Sequence, residues 1–256
     1  MVFFYYILFG VNLLYMSIFS HIKKIINDLL FPYICHGCGV EGSVLCSICR
    51  TRLSWIHPVC FVCKKFSPGN ERIPLGRTCE PCQKMSYIYG FLSPFVYKDR
   101  VIRECIHGLK YQRVRSIADI FAGLIAKYLL YYRISLPSDA VVIPIPLHPS
   151  RRRVRGFNQS ELIARYFVEK FGEQHLYFEK NALIRVKKTT PQIDLSHEER
   201  RRNVEGVFRV VDFDRIRNAT VILVDDVATT GATLEEAARV LSEAGAKRVW
   251  AITVAH

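Results

Sequence analysis

Val221-Ile222-Leu223-Val224-Asp225-Asp226-Val227-Ala228-Thr229-Thr230-Gly231-Ala232-Thr233 is the stretch that decides the fold of this chain. Four β-prone apolar residues, two carboxylates and a Thr/Gly run read as a buried strand feeding a turn that opens a helix. Such a turn is a phosphate site. Free backbone N–H groups and the helix dipole favour an anion, Gly231 permits close approach, and Thr229, Thr230 and Thr233 offer hydroxyls. The paired carboxylates stand at the C-terminal end of the strand, the edge where open α/β sheets bind ligands. They suit ribose hydroxyls or a hydrated Mg2+ ion. Taken singly, Asp226 or Thr229 reads equally well as an N-terminal cap.

Downstream, Leu234, Ala237, Ala238 and Leu241 share one face of a helix over 233–244, Gly245 ends it, and 247–256 reads as a last strand. Upstream, alternating Tyr87, Tyr89, Phe91, Phe95 and Tyr97 predict a strand pair over 87–98, with Pro94 marking an edge. Asp99 caps a helix to about Lys110, and an apolar helix spans about 116–132. A buried strand over 140–146 opens into an arginine-rich segment, 147–159, read as an anion-binding turn before a helix over about 160–170. The alternative for that segment is a solvated basic loop. Strands alternating with helices predict a parallel sheet with right-handed crossovers. The fold class is therefore α/β, a parallel sheet flanked by helices and preceded by a small cysteine-rich module.

That module occupies 31–85. Cys35/Cys38, Cys46/Cys49, Cys60/Cys63 and Cys79/Cys82 form four Cys-x-x-Cys pairs, each a tight turn that aims two thiolates at one metal. Eight thiolates fit two tetrahedral Zn2+ sites, paired either sequentially or in a cross-brace. Too few apolar residues lie between the pairs to make a core, so zinc supplies the folding energy. The ninth cysteine, Cys105, reads as a small core residue. Residues 2–19 carry no formal charge and precede His21, Lys23 and Lys24. They read either as a membrane anchor with the lysines cytoplasmic, or as upstream of a true start at Met16 that begins an amphipathic lead-in helix. Half the chain is apolar, which excludes disorder, and the formal charge of +13 calls for a polyanionic partner.

Residue for residue, 221–233 resembles the phosphoribosyl pyrophosphate (PRPP) signature of type I phosphoribosyltransferases. The resemblance implies Asp225 and Asp226 as the catalytic pair on the ribose, and Ala228, Thr229, Thr230, Gly231, Ala232 and Thr233 around the 5′-phosphate. Together with the cysteine module, Arg155-Gly156-Phe157-Asn158-Gln159 is similar to the hallmark of the ComF family (ComFC-like), which joins a double zinc-ribbon to a type I phosphoribosyltransferase-like domain. Thr189-x-x-Gln192 and Arg201-x-Asn203 resemble the flexible hood that closes over PRPP. Candidates for the pyrophosphate or for nucleic acid are Lys110, Arg152, Arg153, Arg155, Asn158, Gln159, Gln192, Arg201 and Asn203. Three segments follow: 1–30, the apolar start and lead-in helix; 31–85, the double zinc-ribbon; 86–256, the phosphoribosyltransferase-like domain. The resemblance implies a cytoplasmic PRPP-binding protein using Mg2+, with single-stranded DNA and the DNA-uptake machinery as partners. The anchor reading would place it at the inner face of the cytoplasmic membrane. The alternative is a phosphoribosyltransferase of nucleotide metabolism or salvage with no DNA role. No residue identifies an acceptor.

Overall fold

The computed structural model describes residues 32–67, 69, 74–171, 176–189 and 197–256. The expected apolar start over 1–30 lies outside the described residues, and no helix among the described residues is long and apolar enough to cross a membrane. The chain divides into two compact units between Leu53 and Ser54. The first carries Cys35, Cys38, Cys46 and Cys49 around the one-turn helix α1 (Ser47–Thr51). The second begins with Cys60 and Cys63, reaches the short helix α2 (Glu80–Gln83) with Cys79 as its N-cap, and continues to the end of the chain.

The larger unit then alternates strands and helices. In order these are β1 (Ile88–Leu92), α3 (Arg100–Tyr111), α4 (Ser116–Tyr131), β2 (Val141–Pro144), α5 (Pro149–Arg155), α6 (Gln159–Lys170), β3 (Tyr177–Phe178), β4 (Leu183–Arg185), α7 (His197–Val204), β5 (Phe208–Val210), β6 (Thr220–Val227), α8 (Ala232–Glu243) and β7 (Arg248–Ala255). Five strands pair in the order β1-β7-β6-β2-β3, every neighbouring pair parallel, while β4 and β5 form a separate antiparallel hairpin.

Central strands of a parallel sheet are covered on both faces, so they carry unbroken apolar runs rather than alternation. Val221–Val224 and Val249–Ala255 are accordingly buried throughout. Each fully buried aliphatic side chain contributes roughly 1.5–3 kcal/mol. The register Val221↔Val249 to Val224↔Ile252, with Val141↔Val221 on the other side, ends β6 at the same edge as β2. Asp225 and Asp226 therefore project at the edge where the chain leaves β2 for α5. At the other end of the sheet Gly90 lies opposite Trp250, and its missing side chain makes room for the indole: a Cβ there would lie 2.4 Å from Trp250 Cζ3.

Two local expectations change. The strand pair over 87–98 is one strand, β1; beyond Pro94 only Phe95 bridges to Ala255, and Tyr97 N donates to His256 O at 2.9 Å. Pro94 has no N–H to extend a ladder. The arginine segment is not an open turn but helix α5. Pro149 stands in its first turn, His148 Nδ1 accepts from Ser150 N at 3.2 Å, and Gly156 in the left-handed region ends it. Arginine is a good helix former, and proline at the first helical position costs nothing, so helix wins over loop there.

Candidate functional site

A cavity of about 340 Å3 opens at the C-terminal edge of β2 and β6. Its walls come from α3 (Lys110, Tyr111), the β2–α5 connection (Ile145, Leu147), α5 (Arg151, Arg155), the start of α6 (Gln159, Ser160), the β4 region (Arg185, Thr189), the end of β6 (Asp225, Asp226) and the first turn of α8 (Thr233). Four of these residues are cations and two are carboxylates, so the walls carry an excess of positive charge.

The acid pair is held from several directions. Ser160 Oγ donates to Asp225 Oδ1 at 2.7 Å, and Asp226 N donates to the same oxygen at 2.9 Å. Burial raises the Asp225 carboxyl, the Asp226 charge raises it further, and Ser160 and Lys110 oppose them, leaving it at about 7. Lys110 Nζ pairs with Asp226 Oδ2 at 2.9 Å. Burial pulls that ammonium down, but Asp226 outweighs burial and keeps it above its ordinary range. Among oxygen-ligated divalent ions, Mg2+ suits this donor set: adjacent carboxylates facing a polar cavity with room for waters and phosphate oxygens.

The basic wall is formed by an i,i+4 pair. Arg151 and Arg155 lie one turn apart on α5 and both face the cavity. Arg151 Nη2 donates to Thr189 O at 3.2 Å, and Arg185 Nη2 donates to Thr189 Oγ1 at 2.6 Å. Burial lowers Arg151 and neighbouring Arg155 lowers it further. Burial likewise brings Arg185 to about 10, with Arg151 adding to the depression and Asp225 offsetting it. Arg155 also donates to Gln159 Oε1 at 3.2 Å and lies 5.3 Å over the exposed ring of Tyr111. Gln159 is buried, and its Nε2 has no partner among the described residues.

Other expected residues stand elsewhere. Arg152 faces outward and pairs with Glu161 at 3.3 Å, and Arg153 is exposed, because the helical period turns them away from the 151/155 face. Asn158 is structural: its Nδ2 donates to Ile145 O at 2.9 Å and its Oδ1 caps α6 through Ser160 N. Arg201 and Asn203 belong to α7, where Asn203 is half-buried and stands off the cavity wall, while Gln192 lies outside the described residues. Within the β6–α8 turn Ala228 is buried, its N bonded to Ala255 O at 3.0 Å, and Thr230 Oγ1 accepts from Ala232 N at 3.3 Å. Thr229, Thr230, Gly231 and Ala232 line an adjoining cavity rather than the first. Reading the sequence placed Arg151 in the arginine-rich anion-binding segment and Arg185 in the basic hood without naming either among the candidate residues, and did not single out Ser160. The i,i+4 spacing after Pro149 was the available signal for Arg151; the other two meet the acid pair only through the fold.

The eight paired cysteines gather sequentially, Cys35/Cys38/Cys46/Cys49 and Cys60/Cys63/Cys79/Cys82, with all sulfurs of a group within 4.8 Å of one another. Cys38–Cys46 and Cys63–Cys79 sulfurs are each 3.8 Å apart. That is about the edge of a tetrahedron with ~2.3 Å Zn–S bonds. Burial raises the Cys35 thiol, yet N–H groups of Cys46, Cys38 and Gly37 bring it down to about 6. Burial and the three neighbouring cysteines push Cys49 up to about 12. Four sulfurs this close cannot all ionise without a divalent cation between them, and both groups could hold zinc.

A family profile for the phosphoribosyl transferase domain matches residues 180–256. The chain is 29% identical over 235 residues to the DNA utilization protein YhgH of Salmonella typhi, covering 88% of this chain and 98% of that protein. It is 29% identical over 225 residues to Competence protein F of Haemophilus influenzae, covering 86% of this chain and 89% of that protein. A shorter similarity, 37% over 98 residues, relates 36% of this chain to 34% of the ribose-phosphate pyrophosphokinase of Pyrococcus abyssi.

Proposed function

We propose that the chain is a member of the ComF family, on its similarity to DNA utilization protein YhgH and Competence protein F and its phosphoribosyltransferase-type domain, that its cavity binds PRPP and that it handles single-stranded DNA. The observation that carries the PRPP reading is the unbalanced cation set facing an acid pair across one cavity. Asp225 and Asp226 take the ribose hydroxyls, the turn 228–233 takes the 5′-phosphate, and Arg151, Arg155 and Arg185 take the pyrophosphate. Mg2+ bound with PRPP would lie near the acid pair and neutralise the pyrophosphate as a leaving group. Ser160 and Lys110 hold the acid pair in place. The β4–β5 hairpin, with Thr189 tied to both Arg151 and Arg185, is the element that excludes water from C1′.

The DNA reading rests on the net charge of +13 and on the Arg155–Tyr111 stack at the rim, where a base can lie on an exposed ring beside a guanidinium. Association with the DNA-uptake machinery and the membrane belongs to this same proposal.

Isothermal titration with Mg-PRPP tests the first part: wild type binds, and Asp225→Asn with Asp226→Asn abolishes the heat. No heat from wild type ends the reading. For the second, affinity for single-stranded DNA should fall steeply with salt, and an affinity flat in ionic strength would exclude phosphate tracking.

A further inference from the structure

The adjoining cavity, about 410 Å3, lies between the turn 229–232 and the knuckle that follows Cys60, and the two elements are fitted to each other. Gly231 has φ 79°, and a Cβ on it would lie 2.5 Å from Phe61 Cζ and 2.9 Å from Cε2. Phe61 comes from between Cys60 and Cys63, two of the four sulfurs of the second cluster. It is buried, and its ring meets Phe91 edge-on at 5.3 Å, so it is not free to swing away. The residue after the cluster's second cysteine, Lys64, is held by a turn in which its N donates to Cys60 O at 3.0 Å. Its φ of 58° is unusual for a side-chain-bearing residue, and it brings Nζ to 4.8 Å from the Phe61 ring and 5.0 Å from the Phe91 ring. Lys64 thus shares the cavity with the hydroxyl residues Thr229 and Thr230. The carboxylate on that wall, Glu235, is already engaged, accepting from Ser86 Oγ and Tyr87 N at 2.7 Å each.

We propose that the knuckle Cys60–Lys65 is the outer wall of the phosphate-binding turn: Phe61 positions the turn through Gly231, and Lys64 supplies the charge that meets a sugar 5′-phosphate. This rests on the PRPP reading and goes beyond it, because it makes a cysteine-cluster segment part of the sugar-phosphate subsite. A metal held by Cys60 and Cys63 fixes the base of the knuckle, so the second cluster serves ligand binding as well as folding. Phe61 is a positioning residue, and Lys64 is the residue that touches ligand.

The test separates the two halves of PRPP. Ribose 5-phosphate and Mg-pyrophosphate are each titrated calorimetrically into the full-length zinc-loaded chain, as wild type, Lys64→Gln and Phe61→Leu, with zinc content measured in each. Lys64→Gln leaves the knuckle's packing intact and should weaken ribose 5-phosphate about tenfold, the order expected for one charge-assisted contact. Phe61→Leu should weaken it several-fold, and both variants should bind Mg-pyrophosphate within about twofold of wild type with zinc unchanged. Loss of both ligands together, or of neither, overturns the proposal while leaving PRPP binding standing. A wild type that binds neither ligand removes the PRPP reading itself, and this inference with it.

Discussion

Replacing Asp225 with asparagine should stabilise the ligand-free protein at neutral and alkaline pH. In the folded chain burial and Asp226 raise this carboxyl from its ordinary 3.8 to about 7. Below 3.8 it is protonated folded and unfolded, and it costs nothing. Between the two values the unfolded chain has released the proton and the folded chain retains it. Since the folded state binds more protons there, stability falls as pH rises through that window and levels off above about 7. The interval corresponds to a penalty of at most roughly 4 kcal/mol well above pH 7, of which roughly 2 kcal/mol accrues between pH 5 and pH 7. Asparagine imitates the protonated form and keeps an oxygen for Ser160 Oγ and Asp226 N, so the variant escapes the penalty. The assay is the difference in thermal midpoint between variant and wild type, zinc-loaded, at pH 5, 6, 7 and 8. Titrations away from the acid pair and Lys110, including those of the cysteine clusters, cancel in that difference. An effect of half that pH 5-to-7 change raises the variant's advantage by about 2–4 °C over the interval in a domain of this size. A difference that is constant with pH, or a variant less stable than wild type at pH 8, would refute the reasoning.

Lys110→Met should destabilise by about 3 kcal/mol, because Asp226, its side chain 9% exposed, loses its cation. Adding Asp226→Asn should restore most of that in urea unfolding; a neutral single variant would break the argument. Elemental analysis should find about two zinc ions per chain, one for each tetrahedral group of four cysteines, with Cys82→Ser reducing the count to about one. A chain that stays folded and metal-free would sink the zinc assignment. Gly90→Ala should cost about 1–3 kcal/mol and shift the emission of Trp250, since the new methyl would sit 2.4 Å from the indole; unchanged stability and emission would mean that β1 has slack there.

How much of this was legible in the sequence depended on the range of the forces involved. The sheet could be read from 141–144, 221–224 and 249–255, because burial on both faces leaves almost only apolar residues along a strand, Thr253 being the polar exception. The cysteine groups could be read from local spacing, and their sequential pairing from the structure alone. The turn 228–233 stood out as a candidate phosphate site because the chemistry proposed for it is contained in consecutive residues. The basic wall did not. A run of three arginines reads as a solvated loop until Pro149 and the helical period sort Arg151 and Arg155 to one face and Arg152 and Arg153 to the other. Ser160, Arg185 and Phe61 reach the site from 65, 40 and 170 residues away from Asp225, Asp225 and Gly231 respectively, and no local pattern encodes such meetings.

The charges around the cavity stand in an electrostatic compromise, and that compromise indicates what should relieve it. Arg151 and Arg185 are depressed by burial beside other arginines, Asp225 is raised beside another carboxylate, and Lys110 is the cation at hand for Asp226. A pyrophosphate group answers the first deficit, and a divalent ion carried with it answers the second. Neither alone answers both, because pyrophosphate without the ion leaves the acid pair in mutual repulsion, and the ion without pyrophosphate adds positive charge beside the arginines. Magnesium and PRPP should therefore bind with positive cooperativity. The cooperativity should grow with pH from 6 to 8, as Asp225 releases its proton to solvent and the charged acid pair comes to need the ion. Thermal shifts measured with each component alone and with both, across that range, would show the combined shift exceeding the sum of the separate ones, most of all at pH 8. Purely additive shifts at every pH would mean that the acid pair and the basic wall serve different ligands.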